Sequence, residues 1–171
     1  MIKALRNGVL VSGLICLALG GSNALATGVQ ASASGSSHFT LHNVFGLNTL
    51  IVRDFSWTAT TTASGTTNGW FNYQDAEDGA VFTARGDVTC VTVQGNQAWL
   101  GATIVGSNDP SYVGLDSWWH VTDNGEGQNA PQDVTTLIGA GDPGAARAFC
   151  DTTPPYRFPW LVDNGSIQVR R

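Results

Sequence analysis

The chain has 171 residues, 42% of them hydrophobic, with 8 basic and 13 acidic side chains and a formal charge of −5, which suits one globular domain with a real core. Nucleic-acid binding needs a dense cationic face to displace counterions, and this composition does not supply one. The same deficit argues against docking to anionic membrane surfaces.

The first segment, MIKALRNGVLVSGLICLALGGSNALA (1–26), carries Lys3 and Arg6, then an apolar run, then A-L-A. This is the pattern of a secretory signal peptide. The run is about 11 residues long, whereas spanning a bilayer takes about 20, so no stable membrane anchor is expected. Cys16 lies inside the run and leaves with it. Cleavage also removes Lys3 and Arg6. Six basic residues then face thirteen acidic ones, a formal −7, and no lysine remains. A secreted or periplasmic location follows. The next stretch, TGVQASASGSS (27–37), is small, polar and Gly/Ser-rich, and reads as a flexible lead-in. The folded domain is expected over 38–171.

Strand signals recur from there. HFTLHNVF (38–45) alternates imperfectly, with Phe39, Leu41 and Phe45 on one side. DFSWTATTT (54–62) alternates cleanly, placing Phe55, Trp57 and Ala59 on one face. ASGTTNG (63–69) is a turn cluster, WFNYQ (70–74) a strand and AEDG (76–79) another turn. AVFTARGDVTCVTV (80–93) suggests two strands around Arg85, Gly86 and Asp87. QGNQ (94–97) turns into AWLGATIVG (98–106), the best hairpin signal in the chain. SNDPS (107–111) closes that strand, and YVGLDSWWHV (112–121) begins the next. DNGEG breaks it, and DVTTLIGA (133–140) is its expected partner. GDPGAARAFC (141–150) reads as loop with one helical turn at 145–149. Pro154, Pro155 and Pro159 exclude a central strand nearby, and GSIQVRR (165–171) ends the domain as a strand with Ile167 and Val169 on one side. Roughly eight short strands with 8–12-residue spacing predict an all-β, antiparallel barrel, with a β-sandwich as the alternative.

Cys90 and Cys150 are the two cysteines beyond the leader. In an oxidising compartment such residues pair, closing a loop of about 60 residues worth roughly 4 kcal/mol. A metal pair or reactive thiol would call for CxxC spacing or a neighbouring histidine, and neither is present.

VTDNGEGQNAPQD (121–133) concentrates Asp123, Glu126 and Asp133 among glycines and amides. Counted from Asp123, an EF-hand loop fails at positions 3, 5, 6 and 12. A one-off calcium site from these three acids is one reading; a solvent-exposed turn, in which Asn124, Gly125 and Gly127 supply the unusual φ angles, is the other and needs no metal.

Catalytic sets are sparse. His38 and His42 lie about 13 Å apart on a strand, too far to share a metal. His120 is the best candidate base, and Asp116 shares its face at a similar separation of about 13 Å. No G-x-S-x-G elbow, S-x-x-K pair or phosphate loop occurs, so no cofactor is expected. Asp75, Glu77 and Asp78 read as a solvated acidic turn. There are six tryptophans: Trp57, Trp70, Trp99, Trp118, Trp119 and Trp160. Trp119 shares its face with Leu115 and Val121, which reads as core. Trp118 falls on a polar row with Asp116, His120 and Thr122, where an indole could stack on a sugar ring or an apolar molecule.

GDVTCVTVQGNQAWLGATI (86–104), VTDNGEGQNAPQD (121–133), AFC (148–150) and ASGSSHFT (33–40) together resemble a group of small, exported, uncharacterised bacterial proteins. That resemblance implies an exported β-rich domain with a cysteine pair and transfers no catalytic residue. Two functions are therefore weighed. One is a non-catalytic binding or structural domain for a small molecule, glycan or protein surface, with Asp116, Trp118, His120, Asp123 and Glu126 as candidate binding residues. The other is a barrel-type cyclase, isomerase or hydrolase with its site around Asp116, His120, Asp123 and Glu126.

Overall fold

The computed structural model describes residues 29–42, 50–155 and 157–171. The expected signal peptide and Phe45 lie outside the described residues. Among the described residues, ten strands, one 3-10 turn and one helix follow in chain order: β1 (Val29–His42), β2 (Leu50–Thr62), β3 (Thr67–Glu77), β4 (Ala80–Gln94), β5 (Gln97–Ser107), the 3-10 turn (Pro110–Tyr112), β6 (Asp116–Thr122), β7 (Val134–Thr136), β8 (Gly139–Gly141), α1 (Ala145–Thr152), β9 (Pro159–Leu161) and β10 (Asn164–Arg170). The strands form one antiparallel sheet, ordered β10-β1-β2-β3-β4-β5-β6-β7-β9, with β8 paired to β6 beside β7. The sheet curls into a half-barrel, so the barrel-like expectation holds over the two-sheet sandwich, with ten strands in place of about eight.

Two hairpins follow from their turn residues. Glu77 pairs with Ala80, and both intervening residues, Asp78 and Gly79, have positive φ (47° and 87°), as a type I′ turn requires. Gln94 pairs with Gln97, and φ of 61° at Gly95 suits the first position of a II′ turn.

The expected flexible lead-in needs correction from Val29 onward. Residues 29–37 form the first part of β1, paired with β2 on one side and β10 on the other. Their small side chains fit a specific need. Ala31, Ala33 and Ser37 are buried, and a Cβ at Gly35 would sit 2.9 Å from the Trp57 ring. β1 is small inside because β2 is large there.

The expected break at Arg85, Gly86 and Asp87 is also corrected. β4 runs unbroken through it, with a register shift against β5 at Arg85/Gly86. Gly86 leaves the room that the Phe71 ring occupies.

Period-two alternation puts Phe55, Trp57, Phe71, Tyr73, Leu100, Ile104, Trp119 and Val121 on the inner face. The rings meet mostly edge-on or tilted, with centroids 5.0 Å apart for Phe55–Trp119 and 5.6 Å for Phe71–Trp119. Such pairs add about 0.5–1.5 kcal/mol each beyond their buried area. Further along the interior, Phe39, Leu41 and Ile51 pack against Leu137 and Trp160. Asp75, expected in a solvated turn, instead faces inward. Its Oδ2 lies 3.1 Å from Arg53 Nη2 and accepts the Tyr73 hydroxyl at 3.2 Å. Burial pushes the Tyr73 hydroxyl above the ordinary tyrosine range, so it donates throughout.

The helical turn expected over 145–149 extends to Thr152 and packs on the outer face of β4, β5 and β6. Cys150 on α1 is disulfide-bonded to Cys90 on β4, with Cα atoms 6.3 Å apart. Gly101 makes this approach close: a Cβ there would lie 2.6 Å from Cys90 Sγ and 2.8 Å from Ala146 Cβ. At the far end of α1, Trp99 Nε1 donates to the Pro154 carbonyl at 2.8 Å, and Gln94 Nε2 donates to Thr153 Oγ1 at 3.1 Å. Replacing both Cys90 and Cys150 by serine should lower unfolding stability by about 4 kcal/mol, the chain-entropy value for a loop of this length, measured by urea denaturation.

Candidate functional site

The candidate residues separate into three structural settings. Asp116, on β6, is buried under the N-terminus of α1. Its Oδ2 accepts the amides of Gly144 (2.7 Å) and Ala146 (3.1 Å), and its Oδ1 accepts the Thr103 hydroxyl at 3.3 Å. Position 144 has φ of 101°, which glycine adopts without strain and which lets its amide turn toward the carboxylate. The arrangement places a carboxyl group against the first amides of the helix.

Asp123, Glu126 and Asp133 form a different set along β10. Antiparallel pairing with β1 uses alternate amides of β10 and leaves the others pointing outward. Ile167 donates to Asp133 Oδ2 at 2.8 Å, and Val169 donates to Asp123 Oδ2 at 2.9 Å. The second oxygens hold the loop itself. Asn124 donates to Asp133 Oδ1 at 2.8 Å, and Gly125 donates to Asp123 Oδ1 at 2.9 Å. Ser166 Oγ reaches Glu126 Oε1 at 3.2 Å. The loop between β6 and β7 is thus a seam that satisfies the outer edge of β10. Among the described residues, no three His, Cys, Asp or Glu side chains are grouped so that they could hold a metal ion.

Trp118 and His120 are the two candidates that share a cavity. Their row on β6 is covered by α1 and its neighbouring loops, and Asp116, His120 and Thr122 are all buried. The polar row read from the alternation is therefore an inner layer between sheet and helix. The Trp118 indole lies across β8, where a Cβ at Gly141 would sit 3.1 Å from its ring, and its centroid is 6.4 Å from that of Phe149. His120 stacks on Trp99 with centroids 4.2 Å apart and planes 22° from parallel. Together with Leu137, Phe149, Pro155 and Phe158 they line a largely apolar pocket of about 390 Å³. Burial pulls the His120 pKa down from 6.5 to about 4, so the imidazole is neutral at neutral pH.

A larger concavity, about 860 Å³, lies on the outer face of the sheet, on its β10 and β1–β5 side. Sequence reasoning missed it because its parts lie on six strands. Cross-strand register collects them: Ser36 pairs with Ser56, Ser56 with Asn72, Asn72 with Arg85 and Arg85 with Gly106. A second row runs through His38, Asp54, Gln74 and Thr83. His38 Nδ1 and Asp54 Oδ1 are 2.7 Å apart. Gly106 bears no side chain, and the Arg85 guanidinium stem lies over it, with Nε 2.7 Å from where a Cβ would be. Asn72, Gln74 and Arg85 are exposed there, as is Trp70 two residues before Asn72 on the same face.

Comparison with family models, curated proteins and solved structures finds no match. No helix among the described residues is long and apolar enough to cross a membrane.

Two outcomes follow from this geometry. His120 binds a proton more readily unfolded than folded, so stability should fall as pH drops from 6.5 to about 4 and level off below, with a loss on the order of 3 kcal/mol. His120→Phe, which keeps a ring against Trp99, should flatten that slope in urea titrations at each pH. Asp133→Ala should cost about 3 kcal/mol by stranding two amides, while adding calcium or a chelator should leave the thermal midpoint of the parent protein unchanged.

Proposed function

We propose that this protein is exported and acts as a non-catalytic binding domain. The observation that carries the reading is the employment of the acids: Asp116 holds the α1 amides, and Asp123 and Asp133 hold the β10 amides. A carboxylate whose oxygens are already engaged by backbone amides is poorly placed to reach a substrate. His120, the candidate base, is neutral but stacked beneath α1, and its strand neighbour Asp116 is already bonded to the helix. The enzyme reading built on Asp116, His120, Asp123 and Glu126 thus needs residues that the fold already uses. The disulfide between Cys90 and Cys150 supports export to an oxidising compartment. The exposed polar concavity and Trp70 support a binding role.

A ligand panel read by tryptophan emission, with product analysis of each mixture, tests this. The expected outcome is a saturable emission change with ligand recovered intact. His120→Ala and Asp116→Asn should lower the unfolding midpoint, and a ligand held in the outer concavity should keep its affinity within about twofold, because neither side chain lines it. Sustained turnover of any compound, abolished in His120→Ala, would overturn the reading.

A further inference from the structure

We propose that the outer concavity across β1–β5 is a glycan site that takes a neutral oligosaccharide laid across the strands, with Trp70 as a stacking platform at its flank. The inference rests on the non-catalytic binding reading and names the ligand class and the place.

The floor comes first. Strands β1 to β5 all lie inside the sheet order, so each has a neighbour on both sides. Their backbone groups are committed to ladders, and no edge is offered to which a peptide could add a strand. Recognition here must come from side chains. Those side chains are hydroxyls and carboxamides: Ser36, Ser56, Asn72, Gln74 and Asn164. Each hydroxyl and each carboxamide both donates and accepts, which matches a ligand whose own hydroxyls do both. Asn108, by contrast, is spent on the fold, since it bonds the Val81 carbonyl and the Thr83 amide.

Charge narrows the class. The concavity has one carboxylate, Asp54, held by His38, and one guanidinium, Arg85. These formal charges offset one another. A polyanion would meet a single cation on a chain with thirteen acidic residues, which gives it nothing to bind. A lipid or other apolar ligand would find few apolar side chains, because Phe55, Tyr73 and Ala84 of the lining are buried and the exposed Trp70 and Val81 lie outside it.

Shape agrees. Five strands at their usual spacing give a row about 19 Å long, the reach of a short oligosaccharide. Trp70 is 46% exposed and lies on the same face as Asn72 and Gln74, about 7 Å along β3 from Asn72. An indole held half out of a sheet offers its flat face to the C–H side of a sugar ring, while the amides reach the ring hydroxyls. Gly106 lets the Arg85 side chain lie down over β5, so that the row continues across the strand.

Affinity electrophoresis and calorimetry with the full folded chain test the proposal, using soluble β-glucan, glucomannan, arabinoxylan and dextran, with polygalacturonate as the charged arm. At least one neutral polymer should bind. Trp70→Ala and Asn72→Ala should each weaken that binding about tenfold, Trp70→Phe should restore most of it, and Trp118→Ala should leave it unchanged. Thermal midpoints of the variants check that each remains folded; none of the three positions is fully buried. The proposal fails if none of the neutral polymers binds, if Trp70→Ala and Asn72→Ala bind as the parent does, or if polygalacturonate alone is retained. Release of reducing ends from a bound polymer would sink the non-catalytic reading and leave the site standing. Binding of an apolar dye through Trp118, with no polymer retained, would keep the binding-domain reading and sink the glycan site.

Discussion

The architecture depends on two carboxylates that take the place of a strand. β10 pairs with β1 along one side, and its outward amides at Ile167 and Val169 would otherwise face a gap. β10 is the last strand of the sheet order, so among the described residues no ladder partner receives them. Amides two residues apart on a strand are separated by about 7 Å, more than one carboxylate can span. Two acids from opposite ends of one loop, Asp123 and Asp133, meet that spacing. Ionised acceptors make these bonds shorter and stronger than neutral ones, which suits a joint with so few contacts. The chain completes the closure by passing directly from β9 on one edge to β10 on the other, with Val162 donating to the Asp133 carbonyl and Asp163 to that of His38.

The outer face then divides in two. Over β4, β5 and β6 it is covered by α1, fixed at its start by Asp116, in its middle by Cys150 and beyond its end by Trp99. Over β1 to β5, away from the helix, it is open and polar. The buried half contains the residues with the most chemical promise in isolation, His120 and Asp116. The open half contains ordinary serines and amides. Burial therefore removes reactive groups from contact with solutes and leaves recognition groups exposed.

Several features were legible in the sequence because they are local. The alternation of Phe55, Trp57 and Ala59 fixes one face of β2, and the Asp78-Gly79 and Gly95-Asn96 turns fix two hairpins. The cysteine pair followed from compartment and count. Other features were not, because their partners are remote. Residues 29–37 look like a linker in isolation, and become a strand only because the Trp57 ring needs a glycine and alanines beside it. Asp123 and Asp133 read as turn residues, and in part they are, but the amides that define their role lie 46 and 34 positions away. The Trp118 row reads as polar; eight residues of helix, anchored by the disulfide, cover it. The open concavity has no linear signature, since one serine or amide per strand gains meaning only through register.

The pairing of β1 with β10 has a consequence for how the chain could be rewired. Ser32 sits opposite Arg170, so the start of β1 and the end of β10 lie side by side. A short bridge between them, with the backbone cut at the Gly95-Asn96 turn instead, would preserve each ladder while reversing the order in which the halves are synthesised. A circular permutant of this kind separates the role of chain order from the role of the contacts themselves.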